Sequence, residues 1–300
     1  MESIIFNPHS INNLLNQLKN QTGIEFNCYR RNFLERRIKS RMIRLGLTTD
    51  QSYFDYILSN PQEIDLFLER FTINYSYFFR NIEIFEKLRE IILACKSDKY
   101  QNASDNFDYL SHLSLYDKVR RDYAYKDNGL KIWSCPCAAG EEPYSIVMLL
   151  EELKKEIHDF PNYEIIASDI DKNAIKMAKI GVYGEESLKE IPHNYNSTYF
   201  TKVYDRLGHK YLICNDVKRK VEFLIEDVTK GHSKDHKFDI IFCRYLLIYI
   251  NRDFRENLLR IIENHLVPGG LLVLGKTETL LNSKLNFKLI DGRNHFYIKV

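Results

Sequence analysis

The sequence has no apolar run near the ~18 residues needed to cross a bilayer. Its start, "MESIIFNPHSINNLL", lacks the basic, then apolar, then small-residue order of a secretory signal. Both absences point to a soluble cytoplasmic chain. Six cysteines (Cys28, Cys95, Cys135, Cys137, Cys214 and Cys243) form no CxxC pair, so neither a zinc site nor a disulfide framework is indicated and no metal is expected. A net charge of +2 is too small to predict nucleic acid as a partner, although an even total can hide a local patch. Internal repeats and low-complexity tracts are also missing.

What is present suits a globular protein of one or two domains: 300 residues, 44% hydrophobic and 28% charged. Residues 1 to about 95 carry apolar positions at helical spacing in "INNLLNQL", "FLERRIKSRMIRLGL", "SYFDYIL" and "EIDLFLERF", which predicts a helical first domain ending in a connecting helix. Residues 96–128 are polar and aperiodic and read as an insertion or linker, with one short helix near Leu113–Arg120. From residue 129 short apolar runs alternate with helical patterns, the signature of a parallel sheet flanked by helices. Between about 195 and 220, "TYFTKV" and "KYLICN" alternate around Arg206-Leu207-Gly208 and predict a small antiparallel insert.

The first strand-to-helix turn of an open α/β sheet is its usual ligand cradle. Here it reads "WSCPCAAGEEPYS", with one glycine, Gly140, followed by Glu141 and Glu142. Two carboxylates would repel a phosphate, so the dinucleotide fingerprint GxGxxG and its chemistry are disfavoured. A ligand with cationic centres and no phosphate fits better, and S-adenosylmethionine is one. The next unit, "YEIIASDIDKNAIKMAKIGVY", ends a strand at Asp169, which can accept two ribose hydroxyls or serve only as a strand-end turn residue; Asp171 is placed to cap the following helix.

"TINYSYFFR" (Thr72–Arg80), "GEEPYS" (Gly140–Ser145), "SDID" (Ser168–Asp171), "FDIIFCRYLLIYI" (Phe238–Ile250) and "VPGGLLVLGKTETL" (Val267–Leu280) follow one another in the order of the CheR family. The chain resembles a chemotaxis receptor glutamate O-methyltransferase over nearly its whole length. That resemblance implies a class I, Rossmann-like methyltransferase domain (129–300) with an inserted β-subdomain, preceded by an all-α domain. It implies a protein-glutamate O-methyltransferase that makes glutamate methyl esters on receptors for sensory adaptation, with S-adenosylmethionine as cofactor and S-adenosylhomocysteine as product. The alternative is a methyltransferase-like module that binds cofactor or receptor without turnover or with an altered substrate.

By the same resemblance Asn74, Ser76 and Arg80 lie on a segment over the cofactor. Glu142 and Asp169 bind it, and Glu141 serves the helix N-terminus through its dipole. Asp227 and Val228 stand beside the adenine, and Arg244 and Tyr245 fill the family's Arg-Asn pair, with tyrosine replacing asparagine. Arg80 and Tyr249 take the catalytic roles, as positioning and electrostatic groups. On the helix "YRRNFLERRIKSRMIRLGL", Leu34, Ile38, Met42 and Leu45 form an apolar stripe and Arg30, Arg37, Arg41 and Arg44 a neighbouring basic face. Alone, that face is a solvated one; the resemblance makes it the docking surface for acidic methylation helices of a receptor. In some family members the β-subdomain also holds a C-terminal tether peptide by strand addition. Membrane association then runs through the receptor, without direct insertion.

Overall fold

The computed structural model describes residues 6–72, 74–96, 109–120, 129–205, 208–233, 235–280 and 285–300. Four helices come first: α1 (Pro8–Thr22), α2 (Arg31–Leu45), α3 (Asp50–Ser59) and α4 (Pro61–Phe71). Their ends follow local chemistry. Asn7 caps α1 through His9 N–H, Thr49 caps α3 through Ser52 N–H, proline opens α1 and α4, and Gly23 and Gly46 close α1 and α2 in the left-handed region. Then come α5 (Ile82–Lys96), α6 (Ser114–Arg120), β1 (Leu130–Ser134), α7 (Glu141–Glu156), β2 (Tyr163–Asp169) and α8 (Lys172–Ile180). The insert contains β3 (Val182–Tyr183), α9 (His193–Tyr199), β4 (Phe200–Asp205), β5 (Gly208–Ile213) and α10 (Asn215–Lys218). The chain closes with β6 (Val221–Ile225), β7 (Phe238–Cys243), α11 (Arg252–His265), β8 (Leu266–Leu274), β9 (Phe287–Asp291) and β10 (Phe296–Lys299).

Two compact units result, one formed by residues up to 73 with Leu246–Leu258, the other by Asn74–Tyr245 with Leu259–Val300. In the helical unit Phe26, Phe33, Phe67 and Phe71 are buried together, with Tyr29 edge-on to Phe71 at 4.7 Å. The late segment joins this unit through main-chain pairing: Arg30 N–H donates to the Tyr249 carbonyl at 2.8 Å and Asn251 N–H to the Cys28 carbonyl at 2.8 Å.

The second unit is built on a seven-stranded sheet in the order β6-β2-β1-β7-β8-β10-β9. Pairings from β6 through β8 are parallel, and β10 runs antiparallel to both its neighbours. The order reverses between β1 and β7, which places a crevice beyond their carboxyl ends. A separate antiparallel sheet, β3-β5-β4, makes up the insert, with Asp205 opposite Gly208 as the hairpin pattern predicts; Arg206 and Leu207 lie outside the described residues.

One expectation is corrected. The boundary near residue 95 moves to Asn74, because Ile84, Phe85, Leu88, Ile91 and Ile92 of α5 are buried in the core of the second unit. Because β8 begins at Leu266, Pro268-Gly269-Gly270 lies inside it; a Cβ on Gly269 would stand 2.1 Å from the His112 carbonyl oxygen. The edge strand β9 carries no clear alternation, and its pairing with β10 through Phe287–Lys299 defines it instead. Of the predicted 96–128 linker, residues 97–108 and 121–128 lie outside the described residues, and the short helix is α6.

Candidate active site

Within the second unit the crevice is organised by one buried guanidinium. Arg244 follows β7, and its Nη1 donates to Glu142 Oε2 at 2.9 Å while its Nη2 donates to the Arg80 carbonyl and to Asn81 Oδ1, each at 2.8 Å. Glu142, in the first turn of α7, also accepts from Ser134 Oγ at 2.7 Å. Arg244 and Glu142 are buried, and these hydrogen bonds offset part of the cost of taking two charges out of water, although Arg244 Nε has no hydrogen-bond partner among the described residues. The backbone of Arg80, the end of β1 and the start of α7 are thereby tied to one side chain.

The segment before α5 is held along its length. Asn74 Nδ2 donates to Asp171 Oδ2 at 2.6 Å, Phe78 N–H to the Ser187 carbonyl at 2.8 Å, and Phe79 N–H to Ser145 Oγ at 2.9 Å. Ser76 is half-buried on it. Arg80 lies with its guanidinium carbon 3.8 Å from the Tyr245 ring centroid, and 5.4 and 5.8 Å from those of Tyr75 and Tyr77. Its one side-chain hydrogen bond among the described residues runs from Nη1 to the Tyr75 carbonyl at 2.7 Å, which leaves its other donors available. Phe79, Asn81, Ala138 and Tyr245 all have positive φ without being glycine, a concentration of strained backbone that marks functional sites.

Acidic groups line the strand ends. Asp169 is buried, accepting from Ala138 N–H at 2.8 Å and Asp171 N–H at 2.9 Å; burial pushes its carboxyl up to about 6 despite those bonds. Asp171 Oδ1 caps α8 through Asn173 and Ala174 N–H. Glu141 is buried in the first turn of α7 with no hydrogen bond to Oε2 among the described residues, and burial raises it to about 7. Asp227 accepts from Thr229 N–H and Oγ1 at 3.0 and 2.6 Å, and Val228 beside it is buried.

Cys135 and Cys137 are buried free thiols whose burial pushes them well above the usual thiol range, which opposes thiolate chemistry. His232 and His236 stand four residues apart with ring centroids at 5.2 Å, but no group of three His, Cys, Asp or Glu among the described residues could hold a metal ion.

Residues 9–72 match the family model described as CheR methyltransferase, all-alpha domain, and residues 102–296 that of CheR methyltransferase, SAM binding domain. The chain belongs to the CheR methyltransferase family. It is 32% identical over 267 residues to chemotaxis protein methyltransferase 2 of Vibrio cholerae, covering 87% of this chain and 82% of that one. It is 27% identical over 282 residues to the chemotaxis protein methyltransferase of Listeria monocytogenes, covering 94% of each, and 26% identical over 281 residues to that of Borreliella burgdorferi, covering 91% and 89%. It is an S-adenosylmethionine-dependent methyltransferase, and its donor set fits that cofactor: buried carboxylates at the start of α7 and the end of β2, and small residues, Ala138 to Gly140, leading into α7.

Of the residues the resemblance names, Arg80, Glu142, Arg244 and Tyr245 meet in one cluster of the second unit and Asn74 is joined to Asp171, two residues from Asp169, whereas Tyr249 belongs to the helical unit. There Tyr249 packs on Phe33 at 4.9 Å between ring centroids, and Arg37 stands 5.1 Å from the same Phe33 centroid. Arg30 and Arg44 are exposed, and Arg37 is half-buried. Arg41 is not a docking residue. It is buried in a two-pronged pair with Glu63 of α4, Nε to Oε1 at 2.8 Å and Nη2 to Oε2 at 2.6 Å, and the Tyr53 hydroxyl donates to the same carboxylate at 3.1 Å.

Two residues escaped sequence reasoning. Asn81 accepts from Arg244 and from the Tyr245 hydroxyl, and buried Glu278 accepts from Tyr245 N–H at 2.6 Å and Gly275 N–H at 2.9 Å. Their only signals were a polar residue directly after "FFR" and the acidic residue of "GKTETL". A Cβ on Gly275 would approach Glu278 Oε2 to 2.7 Å, so Gly275→Ala is expected to destabilise the second unit by roughly 1–3 kcal/mol. Denaturant unfolding would check it; unchanged stability would contradict the close approach.

Proposed function

We propose that this protein transfers the methyl group of S-adenosylmethionine to glutamate side-chain carboxylates of chemotaxis receptors, forming methyl esters. The observation that carries the reading is Arg80, an aromatic-braced guanidinium with donors to spare, carried on the same Arg244 cluster as the acidic cradle. A glutamate is already ionised at neutral pH, so the acceptor needs placement and no proton abstraction. When bound, the cofactor supplies an electrophilic methyl on a sulfonium. Arg80 orients the acceptor carboxylate through its planar fork of donors.

Asp169 is assigned to the ribose hydroxyls, with Glu142 on the cofactor's polar end, Asn74 and Ser76 over it, and Asp227 and Val228 at the adenine. The ionised form of Asp169 is the acceptor, so bound hydroxyls favour ionisation and lower its pKa in the complex. Cofactor affinity is therefore expected to be full above the free-protein value of about 6 and to weaken as pH falls through it, by up to about tenfold per pH unit. Calorimetric titration from pH 7.5 to 5 checks this; an equally steep fall in Asp169→Asn would remove Asp169 from the effect.

Exposed Arg30 and Arg44 with half-buried Arg37 form the proposed docking face for acidic receptor helices. The relatives' names support a chemotaxis partner, and among the described residues no helix is long and apolar enough to cross a membrane. The test is to incubate the protein with receptor-containing membranes and cofactor, then map modified residues by mass spectrometry. Methyl groups on receptor glutamates support the reading, and modification confined to lysine, nucleic acid or small molecules overturns it.

A further inference from the structure

Tyr245 stands where the family carries an asparagine, and its surroundings give the ring a specific task. Its face lies 3.8 Å from the guanidinium carbon of Arg80, the closest cation-to-ring approach among the described residues, and its centroid is 5.4 Å from that of Arg244. Its hydroxyl donates to Asn81 Oδ1, the atom that also accepts from Arg244 Nη2. Its backbone N–H is bound by buried Glu278, and its positive φ is an unusual conformation for a bulky residue. Strain of that kind persists only when surrounding contacts over-determine it. Here those contacts aim one aromatic face at one arginine.

On the other side Arg80 meets Tyr75 and Tyr77, and these tyrosines in turn carry Lys189 of the insert. Lys189 Nζ lies 4.2 Å from the Tyr77 centroid and donates to the Tyr75 hydroxyl at 2.8 Å. Cations and tyrosine rings therefore alternate from Tyr245 through Arg80 to Lys189. A long flexible side chain with only one hydrogen bond would otherwise sample many rotamers, at a cost in entropy each time it had to be ordered.

We propose that Tyr245 is the positioning residue for Arg80: its ring presses the guanidinium into one orientation and leaves the outward donors free for a carboxylate. The role replaces, by stacking, whatever an amide at this position would hold by hydrogen bonding. The ring does this work, and the hydroxyl only anchors the ring to Asn81. The link to catalysis rests on the assignment of Arg80 to the methyl-acceptor carboxylate; the stacking itself does not.

Two measurements on the full chain separate these. Nuclear magnetic resonance of protein carrying isotope-labelled arginine should show the Arg80 Nε–H signal, assigned by its loss in Arg80→Lys, displaced upfield by the ring. That displacement should persist in Tyr245→Phe and vanish in Tyr245→Leu. Methyl transfer to receptor membranes should follow it: Tyr245→Leu loses about tenfold in kcat/KM, the scale of a partly desolvated cation–π contact, while Tyr245→Phe stays within about twofold of the parent. An unmoved Arg80 signal in Tyr245→Leu overturns the proposal, as does a Tyr245→Phe variant as impaired as Tyr245→Leu. Should the parent protein methylate no receptor glutamate while the Arg80 signal behaves as expected, the proposed function fails and the stacking stands.

Discussion

Arg80→Ala is expected to lower methyl transfer by on the order of 100-fold, the scale seen when one preorganised donor to a reacting group is removed. The protein should remain folded, because the Arg80 side chain is only half-buried and has one hydrogen bond, to the Tyr75 carbonyl. Unfolding stability within about 1 kcal/mol of the parent is the matching expectation. Arg80→Lys keeps the charge and loses the planar fork, so it should recover only part of the rate. Near-normal turnover in Arg80→Ala would remove this residue from the mechanism. A loss of folding would assign the deficit to structure instead; it is not expected, since the Arg80 carbonyl, and with it the bond from Arg244, survives the substitution.

Arg41→Ala should do the opposite: destabilise the helical unit by about 3–5 kcal/mol, the cost of stranding a buried charge. Among the described residues Glu63 would keep only the Tyr53 hydroxyl as a side-chain partner, which cannot neutralise a carboxylate in that setting. The pair holds Arg41 above its ordinary pKa, through the Glu63 hydrogen bond first, and Tyr53 above its own through burial. Replacing both partners with apolar residues, as in Arg41→Met with Glu63→Leu, should restore much of the stability, since the two buried charges then disappear together. Denaturant unfolding of the single and double variants measures this. If Arg41→Ala unfolds like the parent but weakens receptor binding, Arg41 is a docking residue after all. Arg44→Ala, on an exposed side chain, should leave stability within about 0.5 kcal/mol.

That contrast shows where sequence reasoning ran out. Helical spacing placed Leu34, Ile38 and Met42 correctly in the core of α2, and it placed Arg41 on the adjoining face. Spacing cannot reveal that Glu63, 22 residues later on α4, takes Arg41 inside. The β/α alternation after residue 129 was legible because buried parallel strands are short apolar runs, and the place of Asp169 at the end of β2 was legible because it closes such a run. The connecting helix α5 was recognisable as a helix, but its apolar face says nothing about which core receives it. Asn81, Glu278 and the Tyr245 face were not legible, because their roles depend on positive φ and on partners more than 30 residues away in the chain. The substitution of tyrosine for the family asparagine raised the right question, and only the geometry around Arg80 suggests its answer.

The central claim is that the product is a carboxylate ester. Its most direct test is transfer of labelled methyl from S-adenosylmethionine to receptor-containing membranes, followed by brief treatment with alkali. Glutamate methyl esters hydrolyse and release the label as volatile methanol, which is the predicted result, and the release should disappear with Arg80→Ala. Label that stays on the protein through alkali would place the methyl on nitrogen and contradict the account.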